Sequence, residues 1–263
     1  MNESHAAEVK LTLESGVARL LLDRADKRNA LTEAMWRAVG DLAAESVERG
    51  ARVLVLEGAG AHFSAGADIA ELRDQLADPQ RLIDNAEQVQ TVQRSLRRLP
   101  IPTLALIRGH CVGGGLGLAL CCDLRVASAD ARFALTPVRL GLHYSLADTR
   151  QLASIIGLAR AREMLLTACP VEAGSAGQWG LINRVCEDPD TLSVAVEETI
   201  KTWLSASPEA LAATKRVLSS LDGTGDDSAE DLNRLFLASF ESTDFAEGAA
   251  AFVEKRAPRF SRN

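Results

Sequence analysis

Tyrosine is almost absent from this chain: its 263 residues include one, Tyr144, and aromatic residues together make up 4% of the sequence. Long apolar runs are absent too, and no stretch reaches the roughly 18 apolar residues that a membrane helix needs. The N-terminal sequence MNESHAAEVK has neither the basic nor the apolar segment of a secretion signal. We therefore expect a cytoplasmic protein that does not enter a membrane.

Basic residues are in deficit, with 29 against 36 acidic ones and a net charge of −7. This balance argues against nucleic acid as a partner. The five cysteines are odd in number and include no C-x-x-C pair, so neither a disulfide framework nor a metal site is indicated. We expect reduced and mostly buried thiols. Hydrophobic residues make up 47% of the chain, enough for a sizeable core.

Strand and helix patterns alternate along the first two thirds of the chain. The segments 8–14 and 16–22 are typical of two strands around a Ser15-Gly16 turn, and Thr32 is typical of an N-cap for a helix ending near Gly50. Further patterns predict strands at 52–58, 102–109, 123–130, 132–135 and 181–187, and helices at 80–98, 149–167 and 172–179. An apolar helix is expected from the glycines at 113–115. From about residue 190 every pattern is helical, over 190–205, 208–221, 228–241 and 243–254. This order predicts an α/β layered body with an all-α tail.

Two glycine-containing loops could bind a ligand through their backbone. In HFSAGADIAEL (62–72) small residues surround Gly66, and in GHCVGGGLGLALCC (109–122) three glycines open an apolar helix whose first N–H groups have no partner within the helix. Two such loops could supply a pair of donors to an oxyanion. The alternative is that each loop is a tight turn that allows close packing of a helix. Neither loop carries the glycine spacing of a dinucleotide site or the lysine of a phosphate loop.

Five segments occur in the order found in one enzyme family: LDRADKRNAL (22–31), FSAGADIAEL (63–72), GHCVGGGLGLALCCDLRVASADARF (109–133), AREMLLTACPVEAGSAGQWGLINRV (161–185) and EGAAAFVEKRAPRF (247–260). The chain thereby resembles the enoyl-CoA hydratase/isomerase, or crotonase, superfamily. The resemblance implies a crotonase-like α/β spiral of repeated strand-strand-helix units over 1–190. It also implies an all-helical C-terminal trimerisation region over 191–263, the two forming one continuous fold that assembles as a homotrimer or as a hexamer of two trimers.

The same resemblance implies an acyl-CoA substrate and no other cofactor. The thioester oxygen would be held by the backbone N–H groups of Ala67 and Gly114. Contacts to coenzyme A would come from residues of three segments: Lys27, Arg28, Ala30, Ala65, Asp68, Ile69, Phe252 and Lys255. Of these, Phe252 and Lys255 would act on a neighbouring subunit's ligand. The charged residues could equally be ordinary surface charges, and Asp68 could cap or brace its loop.

Two glutamates that the hydratases of this family use are missing. The corresponding positions hold Gly117 and Pro137, and neither residue can act as the acid or base that adding water to a double bond requires. The change at Gly117 is also expected to widen the acyl pocket. Ordinary hydratase activity should therefore be negligible.

Decarboxylation of a malonyl-type thioester needs an oxyanion hole but no carboxylate base, because the departure of carbon dioxide itself generates the enolate. The segment FALTPVRLGLHYS (133–145) is similar to that of the methylmalonyl-CoA decarboxylases within the superfamily. The likeness implies that Thr136 and Tyr144 face the leaving carboxylate. His143 is a candidate proton donor. The alternatives are a Tyr144 packed as a core residue with its hydroxyl bonded to the backbone, and a His143 on the surface.

Three functions therefore stay open on the sequence. The first is a carbon–carbon lyase, a decarboxylase of methylmalonyl-CoA or a related 2-carboxyacyl-CoA. The second is a hydratase, isomerase or thioester hydrolase with non-standard residues. The third is a non-catalytic acyl-CoA-binding protein that has lost both glutamates.

Overall fold

A computed structural model describes residues 8–260 of the chain. Within this range the strands are β1 (Val9–Glu14), β2 (Val17–Leu22), β3 (Val53–Gly58), β4 (Thr103–Ile107), β5 (His110–Val112), β6 (Leu124–Ser128), β7 (Arg132–Ala134), β8 (Val171–Glu172) and β9 (Arg184–Cys186). The helices of the body are α1 (Glu33–Glu48), α2 (Ile69–Gln75), α3 (Pro79–Arg97), α4 (Gly114–Leu120), α5 (Leu146–Thr167) and α6 (Ala173–Gln178). Those of the C-terminal part are α7 (Pro189–Leu204), α8 (Pro208–Leu221), α9 (Ala229–Ser239) and α10 (Thr243–Glu254).

The strands form two sheets. The larger has the order β1-β2-β3-β4-β6-β9, in which β1 and β2 are antiparallel and every later pair is parallel. The smaller has the order β5-β7-β8. Because neighbouring strands follow one another along the chain, each strand and its helix add one turn to a spiral. The mixed α/β fold with C-terminal helices that the sequence predicted is confirmed.

Local sequence signals determine the turn between β1 and β2 and the start of α1. Glu14 and Val17 are paired across the β1–β2 turn, so Ser15 and Gly16 form a two-residue turn, and both have the positive φ that such a turn requires. The side chain of Thr32 accepts a hydrogen bond from the N–H of Met35 and caps α1. Both features are as the sequence predicted.

The central strands bury both of their faces. Leu54 and Leu56 of β3 pack into the main core, whereas Val53 and Val55 face a second cluster that contains Leu192, Ala195, Val196 and Ile200 of α7. Alternate residues of a strand point to opposite faces, which explains the division. Helix α7 therefore forms one layer over the sheet. The division of the chain at 190 stays a prediction.

Several local features differ from the sequence prediction. Residues 69–75 form α2, where no helix was expected, and 110–112 form the short strand β5. The predicted helix at 149–167 begins at Leu146 and is interrupted at Gly157, whose φ of 74° and ψ of 157° are not helical. A seven-residue helix and a three-residue strand are too short to show a periodic pattern, and both are held by contacts with distant segments.

Exposed apolar residues are concentrated on the C-terminal helices. Phe236, Phe240 and Phe245 form a chain of edge-to-face ring contacts and are each more than half exposed. In the part of the chain that the structure describes, no helix is long and apolar enough to span a membrane. Four cysteines are buried and Cys169 is exposed, and all five are free thiols, so the expected burial is confirmed.

Candidate active site

The two glycine-containing loops lie against each other. Leu31 and Ala67 form an isolated parallel bridge, and Ser64 and Cys111 form another, which joins the first loop to β5 at the base of the second. The N–H of Leu31 donates to the carbonyl of Gly66 at 2.7 Å, and that of Val112 donates to the carbonyl of Ser64 at 3.0 Å. The chain thus fixes both loops by backbone hydrogen bonds before any ligand binds.

Ala67 and Gly114 are brought together at this contact. A β-carbon added to Gly114 would lie 3.7 Å from the nitrogen of Ala67. Gly66 has a φ of +95°, and a β-carbon there would lie 2.8 Å from the carbonyl oxygen of Val112, so the approach requires glycine. Within residues 8–260 neither the N–H of Ala67 nor that of Gly114 has a hydrogen-bond acceptor. Two adjacent unpaired donors are the arrangement that an oxyanion hole needs.

Buried polar side chains support the first loop. The hydroxyl of Ser64 donates to the carbonyl of Asn29 at 2.8 Å and accepts from the N–H of Gly66 at 3.1 Å. The side-chain amide of Asn29 donates to the carbonyls of Ala59 and His62. Asn29 and Ser64 are fully buried, and the sequence analysis assigned neither a role. The available signals were Ser64 between Phe63 and Ala65 in the first loop, and Asn29 directly before the apolar pair Ala30 and Leu31.

Asp68 braces its loop. Its carboxylate pairs with Arg24 at 2.5 Å and accepts the N–H groups of Ala70 and Glu71, which caps α2. Burial alone would raise the pKa of Asp68, but the hydrogen bonds from Arg24 and from the N–H of Glu71 outweigh burial and lower the pKa. The carboxylate is therefore already committed to three donors. This is the bracing alternative that the sequence left open.

The other residues expected to bind coenzyme A lie at the edges of these loops. Lys27, Arg28 and Ala65 are exposed, Ala30 is half-buried and Ile69 is 55% exposed. The N–H of Ala65 donates to the carbonyl of Arg28 at 2.9 Å, so the two segments share one surface. Their contact with coenzyme A stays a prediction.

Phe252 and Lys255 lie at the end of α10. The Phe252 side chain is 85% exposed, and Lys255 ends the helix with a φ of 53°. Within residues 8–260, neither residue has a side-chain hydrogen bond or ion pair. Their action on a neighbouring subunit's ligand stays a prediction.

Tyr144 and Gln93 occupy the space beside Gly117. A β-carbon on Gly117 would lie 2.8 Å from Nε2 of Gln93 and 2.9 Å from the hydroxyl oxygen of Tyr144. The expectation that glycine at 117 widens the acyl pocket is therefore wrong for the space directly beside this glycine, because the ends of two other side chains occupy the position of a β-carbon. Gln93, on α3, was missed in the sequence.

Tyr144 is half-buried and packs against the main core. Burial raises the pKa of Tyr144 well above its ordinary value of 10, and the nearby carboxylate of Asp148 raises the pKa further. The phenol is therefore a neutral hydrogen-bond donor at physiological pH. Its hydroxyl makes no hydrogen bond within the part of the chain that the structure describes, so the packed alternative with a backbone hydrogen bond is not observed.

The remaining predicted residues lie on the loop between β7 and α5. Thr136 is half-buried, and Pro137 opens a turn of 3-10 helix over Pro137–Leu140. The Thr136 side chain does not cap that turn. His143 is exposed, which agrees with the surface alternative. The structure places Thr136 and His143 close to Tyr144 along the chain but gives neither a hydrogen bond to Tyr144.

His62 is the first residue of the first loop. Its Nδ1 atom accepts the N–H of His110 at 3.2 Å, and the two rings meet edge to face with centroids 4.6 Å apart. Burial lowers the pKa of His62, and the neighbouring His110 and Arg28 lower it further. The ring therefore acts as a neutral brace at the base of the loop.

The family model described as Enoyl-CoA hydratase/isomerase matches residues 12–263. The chain belongs to this family. A Mycobacterium leprae protein named as a probable enoyl-CoA hydratase is 35% identical, over 96% of this chain and 98% of its own length. A mitochondrial Delta(3,5)-Delta(2,4)-dienoyl-CoA isomerase of Dictyostelium discoideum is 30% identical, over 94% of this chain and 88% of its own length.

A solved structure superimposes over almost the whole chain. It is described as an enoyl-CoA hydratase/carnithine racemase of Magnetospirillum magneticum, with a TM-score of 0.90 and 32% identity over 97% of this chain and 96% of that one. Together with the family model, this likeness confirms that the superfamily resemblance of the sequence was correct.

Proposed function

We propose that this enoyl-CoA hydratase/isomerase family member processes acyl-CoA thioesters and is a carbon–carbon lyase that decarboxylates methylmalonyl-CoA or a related 2-carboxyacyl-CoA. The observation that carries the proposal is the chemistry beside Gly117. Neutral donors, the phenol of Tyr144 and the amide of Gln93, converge there, and the two positions of the missing glutamates hold Gly117 and Pro137. Such a site can hold an anion but has no carboxylate there with which to activate water.

The reaction proceeds by loss of carbon dioxide from the bound substrate. The bond between the α-carbon and the carboxylate breaks, and its electron pair passes into an enolate whose oxygen is the thioester oxygen. The N–H groups of Ala67 and Gly114 stabilise that oxyanion, each by about 3–4 kcal/mol when preorganised. A proton then adds to the α-carbon to give the saturated acyl-CoA, so the reaction needs no other cofactor.

Tyr144 orients the leaving carboxylate as a neutral donor, with Thr136 as a second hydroxyl on the same loop. A full cation would hold the carboxylate as an anion and oppose its loss as neutral carbon dioxide, whereas a phenol does not. The raised pKa of Tyr144 makes it a poor acid, so the proton on the α-carbon comes from His143 or from water.

The proposal extends to binding and assembly. Lys27, Arg28, Ala30, Ala65, Asp68 and Ile69 form the surface that takes the coenzyme A moiety, and Asp68 holds that surface in place through its ion pair with Arg24. Phe252 and Lys255 reach the ligand of a neighbouring subunit in a homotrimer or in a hexamer of two trimers. The exposed phenylalanines of α9 and α10 support such an assembly.

A hydratase, isomerase or thioester hydrolase reaction is the second candidate. It is favoured by the names of the relatives and by Asp148, a buried carboxylate on α5 close enough to raise the pKa of Tyr144. A non-catalytic acyl-CoA-binding protein is the third, since both usual glutamates are missing.

Product analysis by mass spectrometry distinguishes the three. The purified protein is incubated separately with methylmalonyl-CoA, malonyl-CoA and crotonyl-CoA. We expect propionyl-CoA from the first. Hydroxybutyryl-CoA from crotonyl-CoA without propionyl-CoA from methylmalonyl-CoA would overturn the proposal in favour of the second candidate. Tight binding without any product would favour the third.

A further inference from the structure

Gln93 is a buried amide with an unused hydrogen-bonding capacity. It lies on α3 between the buried apolar residues Val92 and Leu96, and its side chain is only 2% exposed. The oxygen Oε1 is shielded from solvent and has no hydrogen-bond partner, and the nitrogen Nε2 makes no hydrogen bond to another described residue. Such an amide lowers the stability of the fold relative to an apolar residue of the same size.

The direction of the amide distinguishes it from a packing residue. Nε2 lies 2.8 Å from the position of a β-carbon on Gly117, and the hydroxyl oxygen of Tyr144 lies 2.9 Å from the same point. Both polar atoms therefore converge over one glycine Cα, where no side chain of residue 117 competes with them. Nε2 and the phenol can both donate, so their shared partner is an acceptor.

The charges around this point include one cation without an acidic partner. Arg97 lies one helical turn after Gln93, donates to the side-chain oxygen of Gln151 at 2.5 Å and makes no ion pair within residues 8–260. Asp148 is a carboxylate close enough to raise the pKa of Tyr144, and its Oδ2 accepts from the hydroxyl of Ser145 at 2.7 Å. An acyl group bound here thus meets two neutral donors, with one positive and one negative charge farther away.

We infer that Gln93 is a specificity-determining residue. Its buried amide, together with Tyr144, selects acyl groups that carry an anionic group with acceptor oxygens, such as a carboxylate, on the carbon next to the thioester carbonyl. The inference rests on the proposed function, because it assigns the acyl pocket of that same site. This role explains why a polar side chain is buried at a position where packing alone would favour leucine or methionine.

The test compares two ligands that do not undergo decarboxylation. One is propionyl-CoA, and the other is 2-sulfopropionyl-CoA, in which a sulfonate that cannot leave as carbon dioxide replaces the carboxylate. Calorimetric Kd values are measured for the wild type and for Gln93→Met, which keeps the side-chain length and removes both polar atoms. Gln80→Met, an exposed residue of the same helix that bonds only Asp84 through its side chain, is the matched control.

The wild type and the control are expected to bind the sulfonate at least about tenfold more tightly than propionyl-CoA, the contribution of a hydrogen bond to a charged group. In Gln93→Met the ratio of the Kd of propionyl-CoA to the Kd of 2-sulfopropionyl-CoA should approach one. The Kd of propionyl-CoA should stay within about twofold of the wild-type value, and the melting temperature should equal or exceed that of the wild type. Gln93→Glu should reverse the preference, because a carboxylate there repels the anion. If Gln93→Met does not fold, Gln93→Leu provides the same comparison.

An unchanged ratio in the methionine variant, or no preference for the sulfonate in the wild type, overturns the inference. The proposed function can be overturned independently of this inference. If the wild type prefers the sulfonate but releases no carbon dioxide from methylmalonyl-CoA, the inferred selectivity stands and the proposed decarboxylation is wrong.

Discussion

The hydroxyl oxygen of Tyr144 lies 2.9 Å from the point at which a β-carbon on Gly117 would stand. The only tyrosine of the chain thus faces the position at which hydratases of this family are expected to carry a glutamate. A contact under 3.0 Å is closer than a real β-carbon tolerates, so a side chain at 117 and the present position of the phenol exclude each other. Glycine at 117 is therefore a condition for the arrangement of Tyr144 and Gln93.

Replacing this glycine should disturb the site without unfolding the protein. Gly117→Ala places a methyl group against the ends of the Tyr144 and Gln93 side chains, and both can move away. We expect a roughly 10- to 100-fold loss of decarboxylation rate, the scale of a misplaced orienting group. The measurement is the initial rate on methylmalonyl-CoA, accompanied by a melting curve.

Gly174→Ala is the matched control for this change. Gly174 lies in α6, and an added β-carbon would meet nothing within 4 Å. The control should keep the wild-type rate and be as stable or slightly more stable, because alanine favours a helix over glycine by up to about 1 kcal/mol. Equal rates for both variants would show that the position of Tyr144 beside Gly117 has no part in the reaction.

The ionisation of Tyr144 can be observed directly, because no other tyrosine contributes to the signal. Burial raises the pKa of Tyr144 well above 10, so the folded state holds its proton where the unfolded chain releases it. The contribution of this group to stability is full below pH 10 and is lost as pH rises towards the folded-state pKa. We expect tyrosinate absorbance to appear near pH 10 in denatured protein, but only together with unfolding in native protein. A tyrosinate signal near pH 10 with the fold intact would show that the phenol is solvated.

The ion pair of Asp68 with Arg24 should stabilise the loop that contains Ala67. Asp68→Asn keeps a capping side chain but removes the charge, and it should lower the free energy of unfolding at pH 7 by about 1–3 kcal/mol. The pKa of Asp68 is lowered below its ordinary value of 3.8, so this contribution is full above that pH and is lost as pH falls through the folded-state pKa. Chemical denaturation at pH 7 and at pH 3 measures the difference.

Asp74→Asn is the control for this prediction, since Asp74 pairs with Arg73 and is 71% exposed. An exposed pair contributes little, and the control should change stability by less than about 1 kcal/mol. A similar loss for both variants, or a loss for Asp68→Asn that does not decrease in acid, would contradict the role of this half-buried pair.

Much of the fold could be predicted from local patterns. The Ser15-Gly16 turn and the Thr32 cap are each set by neighbouring residues, and the four C-terminal helices end within two residues of their predicted bounds. The α2 helix was missed although Asp68 and Glu71 have the spacing of an N-terminal capping pair, because seven residues show no clear periodicity. The β5 strand could not be predicted, since three residues become a strand only by pairing with β7.

The candidate site likewise contains residues that the sequence could predict and residues that it could not. The two glycine loops were identified because small residues and positive-φ positions leave a local signal, and the structure brings Ala67 and Gly114 together. Gln93 was missed because its helix is rich in polar residues, and a polar residue on the buried face is not visible until the packing is known. The wrong expectation at Gly117 has the same cause: what fills the space beside a glycine comes from other segments, here α3 and the loop before α5.

The most direct test of the account is the release of labelled carbon dioxide from methylmalonyl-CoA labelled in its free carboxyl group, measured for the wild type and Tyr144→Phe in parallel. Tyr144→Phe removes one hydroxyl that no described residue bonds, so the fold should be unaffected. We predict release by the wild type and a roughly 10- to 100-fold slower release by the variant, the effect of one hydrogen bond to a charged group. Equal rates for the two proteins, or no release by the wild type while crotonyl-CoA is hydrated, would contradict the account.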